Sequence, residues 1–241
     1  MEDLLINARH HLCMRNPKLI RIGLRQIESI LHHIARPSNI NDKIPKEIFL
    51  KLQDSHLYNS VVPCIYALDS LLDYQQNEEA YFENYVFIQR LMDDLLHVIE
   101  GLVLIHPLSQ TFFEDKTALH LFIQVLEPNQ ITSLQVAALK ALVCVMVDRP
   151  LVVRLFESIG GLHQICMLFK HRQTSQDTRL QILEFFYFYL SPEPYNIEDL
   201  PYRKTRKDKQ IYLSKYLSNV QDLRKDLDTF KPFGKLDETF D

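Results

Sequence analysis

Only five glycines occur in this chain of 241 residues: Gly23, Gly101, the pair Gly160-Gly161, and Gly234. Tight hairpins draw on glycine at positive φ, so a chain this poor in glycine has few means of reversing a strand. Loops that cradle phosphate need closely spaced glycines to let the backbone approach the anion. No Gly-x-Gly-x-x-Gly or Gly-x-x-x-x-Gly-Lys can be assembled from these positions. The scarcity points away from sheets and nucleotide-binding folds, and towards helices.

Apolar spacing agrees. Leu4, Leu5, Ala8, His11 and Leu12 share one helical face. A second helix is predicted from Pro17, a residue suited to a first turn, to Ala35, with Ile20, Leu24, Ile27, Ile30, Leu31 and Ile34 as its stripe. Residues Pro37 to Pro45 read as a loop. A long third helix is expected from Ser55 to Tyr74, with Pro63 kinking it or marking its true start, and a fourth from Asn77 to His106. Shorter helices follow over Thr117–Leu126, Thr132–Val147, Pro150–Ser158, Leu162–Lys170 and Arg179–Leu190, the last ended by Ser191-Pro192-Glu193-Pro194. This divides the chain into a helical domain over 1–194 and a tail over 195–241. The tail carries a basic run and an amphipathic stretch at Ile211, Tyr212, Tyr216, Leu217, Val220 and Leu223.

The second half repeats at an offset of 43 residues: Leu139 falls on Ile182, Leu142 on Phe185 and Val145 on Phe188, and one step back lie Leu96, Ile99 and Leu102. That period lies within the ~40–47 residues of armadillo and HEAT repeats. The stretch from Val136 to Lys170 has the order of one armadillo repeat: a long Ala/Leu helix, a break, a short helix, Gly-Gly-Leu and another helix. The fold class expected is therefore all-α, an armadillo/HEAT-like short α-solenoid.

Charge and cysteine usage narrow the setting. A net charge of -4 argues against a whole-surface nucleic-acid binder. Cys13, Cys64, Cys144 and Cys166 are widely spaced in apolar stretches, which reads as buried free thiols in a reducing compartment. The N-terminus carries acids where a secretory signal would carry bases. No apolar run reaches the ~20 residues of a membrane span. A soluble cytoplasmic protein is expected, with no cofactor and no small-molecule substrate.

Chemical signatures are sparse. Cys166 and Arg172 have the Cys-x5-Arg spacing of cysteine phosphatases, but the residues between them lack glycine and continue a helical stripe. The pairs His10-His11 and His32-His33 lack a partner set at zinc spacing. The run Arg203-Lys204-Thr205-Arg206-Lys207-Asp208-Lys209 is a candidate contact for phosphates, anionic lipid or an acidic partner, against the plainer reading of a solvated charged linker. No aromatic platform of the kind single-strand binders use lies beside it. The helix Leu180–Leu190 places Ile182, Leu183, Phe185, Phe186, Tyr187, Phe188, Tyr189 and Leu190 around its whole circumference. A helix apolar all round is covered on all sides, here by the tail folding back, by a partner, or by both. The partner-contact candidates are accordingly Phe186, Tyr187 and Tyr189 on that helix, with Arg203, Lys204, Arg206 and Lys207 in the basic run.

At IGGLHQICMLFK and the following LEFFYFYLSPE the chain resembles the fungal septation-initiation-network family called cell division control protein 14, which shares only its name with an unrelated phosphatase. The resemblance is sharpest from Ile159 to Glu193. It implies a non-catalytic regulatory subunit that binds a germinal-centre-type Ser/Thr protein kinase, acting in the cytoplasm and at the spindle pole body in the cascade that triggers septation. The alternative is a helical-repeat scaffold or localisation adaptor without kinase regulation.

Overall fold

A computed structural model describes residues 1–35, 43–76, 78–194 and 201–230. Among them every regular element is a helix, so the fold is all-α. In chain order these are α1 (Glu2–Leu12), α2 (Pro17–Ala35), α3 (Lys43–Gln53), α4 (Val61–Gln76), α5 (Glu78–Ile105), a 3₁₀ turn (Pro107–Phe113), α6 (Lys116–Val125), α7 (Thr132–Met146), α8 (Pro150–Ser158), α9 (Gly161–Lys170), α10 (Gln176–Leu190), α11 (Arg206–Ser214) and α12 (Val220–Phe230). The chain forms two compact units, Met1–Leu121 and Phe122–Asp241, with α6 crossing the boundary.

In the first unit α1, α2, α4 and α5 bury their apolar stripes together, including Leu12, Ile20, Ile27, Leu68, Leu96 and Ile99. Two elements there differ from the sequence expectation. Residues Ser55 to Ser60 are a turn, and α4 starts at Val61, because side chains hold the backbone out of helical register. Asn59 Nδ2 donates to the Gln53 carbonyl (2.8 Å), Asn59 Oδ1 accepts from Val61 N–H (2.9 Å), and Gln53 Oε1 accepts from Ser60 N–H (2.8 Å). Pro63 thus falls in a first turn, where its missing N–H costs nothing. The polar composition of PSNINDKIP concealed α3, which begins inside that stretch.

In the second unit the Gly160-Gly161 pair sets the angle between α8 and α9, whose axes meet at 68°. Gly160 is left-handed at φ 83°, and a Cβ on Gly161 would come within 2.3 Å of the Phe156 ring. α7 packs on α10 through buried Leu139, Leu142, Val145, Ile182 and Phe185. Thr178 Oγ1 donates to Gln135 Oε1 at 3.1 Å, which joins two positions one sequence period apart. The tail forms two helices where one amphipathic stretch was expected. α11 opens on a capping box: Thr205 Oγ1 accepts from Asp208 N–H, and Asp208 Oδ2 accepts from Thr205 N–H. Both α11 and α12 pack on α10, with Leu213, Leu217, Val220 and Leu223 buried.

All four cysteines are free thiols, yet only Cys64 and Cys166 are buried. Cys13 is exposed and Cys144 half-buried, which corrects the uniform burial read from their apolar neighbours. No single helix among the described residues is long and apolar enough to cross a membrane.

Candidate partner-binding site

The aromatic helix α10 places Phe186 fully inside, edge-on to Phe169 and Phe185 at centroid distances of 5.9 and 6.3 Å. Tyr189 is equally enclosed, and its hydroxyl donates to Glu157 Oε1 at 2.6 Å. Read in sequence as partner contacts, these two side chains are packing groups of the second unit. Burial on a tightly packed face leaves them nothing to offer a partner. Tyr187 is half-buried on the same helix. Leu180 is exposed and Phe188 half-buried, towards the two ends of α10.

The basic run explains the cover of α10 by the tail. Lys204 Nζ lies 2.7 Å from Glu157 Oε2 and 4.8 Å above the Tyr212 ring. Lys204 N–H donates to Glu193 Oε2 at 2.9 Å. Arg203 Nε donates to the Glu193 carbonyl (3.2 Å) and Arg206 Nε to the Leu190 carbonyl (3.2 Å), satisfying a backbone acceptor at the C-terminus of α10. Lys209 sits 3.5 Å from Glu193 and donates to the Ser191 carbonyl. Arg154 completes the cluster with Glu193 at 2.7 Å and Glu157 at 3.3 Å.

The centre of the cluster is out of water: the side chains of Glu157 and Lys209 are 4% and 2% exposed. Burial depresses the Lys209 ammonium to about 8, against the upward pull of Glu193. Burial, then Glu157, raises the Tyr189 phenol and keeps it a donor. The run is therefore an internal clasp, and of the residues proposed within it Arg206 is buried, Arg203 and Lys204 are half-buried, and only Lys207 is exposed. Spacing alone could not have found this, since the partners Glu157 and Glu193 are distant in sequence. The proline-directed Ser191-Pro192 is also engaged, its hydroxyl donating to the Tyr187 carbonyl at 2.8 Å.

Beside the clasp lies an open groove of about 300 Å³. Its apolar lining includes Val143, Val147 and Val153 from α7, α8 and the turn between them, and Phe188, Pro192 and Pro194 from the end of α10 and the residues after it. Asp148 turns the chain at its rim in the left-handed region, φ 57°, a conformation aspartate tolerates better than most residues. Such a groove has room for a bulky apolar side chain.

Cys166 is buried in α9, and burial pushes its thiol up to about 12, so it is neutral near pH 7. His10 and His11 stand edge to face at 6.0 Å. Among the described residues no three His, Cys, Asp or Glu side chains gather as metal ligands.

Comparison with known proteins supplies the rest. The family model described as "Cell division control protein 14, SIN component" matches residues 37–204. The chain is 76% identical over 241 residues to the Schizosaccharomyces pombe protein named "Cell division control protein 14", with 100% of each chain covered. No solved structure matches.

Proposed function

This chain belongs to the cell division control protein 14 family of septation initiation network components, and from that premise we propose that it is a non-catalytic regulatory subunit of a germinal-centre-type Ser/Thr kinase. The observation that carries the reading is the apolar groove between the end of α7 and the end of α10, held open beside a rigid, internally paired clasp. A preformed surface of this kind binds without paying for its own ordering. It raises kinase activity to the extent that it binds the active kinase conformation more tightly than the inactive one. The hydrogen bond between Gln135 and Thr178, one period apart, supports an armadillo-type arrangement of α7–α10 as the rigid frame. Placement at the spindle pole body belongs to the same proposal.

The test is reconstitution of the kinase with the purified chain. Wild-type protein is expected to co-purify with the kinase and raise its phosphorylation of a generic substrate, and Val147→Asp at the groove wall to abolish both. A kinase that neither binds nor responds would overturn the proposal. The adaptor alternative assigned its acidic or lipid contact to the basic run, but Lys204, Arg206 and Lys209 are engaged inside the second unit.

A further inference from the structure

Within the first unit α2 and α5 run side by side in the same direction. Arg21 lies against Phe87, its guanidinium 5.6 Å from the ring centroid. Glu28, two turns on, feels Asp94, and Leu31 faces Gly101. Between the two helices is a groove of about 510 Å³. Arg21 and Arg25 reach it from α2 and Arg90 from α5, over a floor that includes Leu24 and Leu91. All three arginines are exposed. Arg25 and Arg90 form no hydrogen bond or ion pair with another described residue.

Two carboxylates share the groove, and both lie towards one end. Burial, then Asp94, raises the Glu28 carboxyl, and Arg25 pulls it back down. At the opposite end α5 presents apolar side chains, with Arg21 of α2 against them. Val86 lines the groove there, and Phe82, one turn earlier on α5, is 87% exposed. Phe82 stands in line with Val86, itself exposed, and Arg90 at four-residue spacing, so the three share one face of α5. The surface therefore reads in order along α5: apolar, cationic, then acidic.

We propose that the α2–α5 groove binds an acidic linear segment of a partner protein, with acidic side chains over Arg21, Arg25 and Arg90 and a bulky apolar anchor against Val86 and Phe82. Guanidinium groups pair with carboxylate or phosphate through two parallel hydrogen bonds, which favours Glu, Asp or phosphoserine in that segment. Glu28 and Asp94 set the direction by repelling acids at the far end. Three cations mixed with two carboxylates in a chain of net charge -4 are too few for a nucleic-acid backbone, which typically takes 6–10 phosphate contacts. The proposal stands apart from the kinase reading, because the ligand is defined by chemistry and is tested as a peptide.

Fluorescence anisotropy decides it, using the full chain and a short dye-labelled peptide with a Phe-Leu pair followed by glutamates, alongside a version with phosphoserine. At least one probe is expected to bind wild-type protein, to bind Arg25→Gln/Arg90→Gln about tenfold or more weakly, and to bind Phe82→Ala with a smaller loss. The control double variant Lys116→Gln/Lys140→Gln, equal in charge change and exposed outside the groove, is expected to bind as wild type. Melting by circular dichroism checks that each variant is folded. Failure of both probes to bind overturns the proposal, as does equal loss in the control variant. A glutamine-substituted probe binding as tightly, or oligouridylate competing at equal affinity, would overturn it as well.

Discussion

Lys204, Arg206 and Lys209 are close neighbours in sequence and are turned inward to Glu157, Glu193 and the carbonyls that end α10. Arg21, Arg25 and Arg90 are split between two helices and open onto solvent. The first set stood out in the sequence and is used up inside the fold; the second made no local pattern and remains available. A run of like charges tells where cations are along the chain. Whether they are free depends on what the fold places opposite them.

The most damaging way to break the contrast is to remove the clasp with everything it holds. A chain ending at Pro194 loses Leu213, Leu217, Val220 and Leu223, all buried in the second unit. At about 1.5–3 kcal/mol for each side chain this is roughly 6–12 kcal/mol, as large as the whole stability of an ordinary domain. The second unit of the truncated protein is expected to lose cooperative unfolding, followed by urea titration with circular dichroism. An unchanged unfolding midpoint would mean that the tail is a passenger. Next in size is Glu157→Ala, which leaves the buried Tyr189 hydroxyl without its acceptor, removes the carboxylate from the half-buried Lys204, and leaves Arg154 with Glu193 alone. Removing one partner of a buried ion pair costs about 3–5 kcal/mol, readable in the same titration.

The helical frame was legible because it depends on local pattern. α2 matches its predicted span, from a first-turn proline to Ala35, and α8 runs from Pro150 to Ser158 as read. Where particular side-chain hydrogen bonds or partners distant in sequence decide the outcome, legibility failed. Gln53, Asn59 and Ser60 close the turn before α4 through hydrogen bonds that no periodicity announces. The helix of Phe186 and Tyr189 was seen to need cover and the tail was named as one source of it, but the pattern could not choose between tail and partner; in the structure α11 and α12 pack on α10. The groove between α2 and α5 was invisible for the same reason, since Arg21 and Arg90 meet only when two helices pair in parallel.

A finer probe of the clasp is pH. Burial lowers the Lys209 ammonium from 10.5 to about 8, so above pH 8 the unfolded chain binds more protons at this site than the folded one. Stability from Lys209 therefore rises with pH from about 8 towards 10.5, by about 1 kcal/mol between pH 8 and 9. The thiols of Cys64 and Cys166, raised by burial, act in the opposite sense as pH passes 9. The useful quantity is thus the difference between wild type and Lys209→Met, in which the thiols cancel. That difference is expected to move by about 1 kcal/mol in favour of the wild type from pH 8 to 9. A flat difference would place Lys209 in water.

The smallest effect sharpens the contrast from the other side. Arg25→Gln/Arg90→Gln removes two cations that form no hydrogen bond or ion pair with another described residue. Exposed substitutions of this kind change stability by about 0.5 kcal/mol or less. The double variant is expected to unfold at the wild-type urea midpoint within that margin, with loss of the attraction between Arg25 and Glu28 as the one term against it. A loss above ~1 kcal/mol would mean that these guanidiniums are already spent on the fold, as Lys204 and Lys209 are, and the difference between the two regions would vanish.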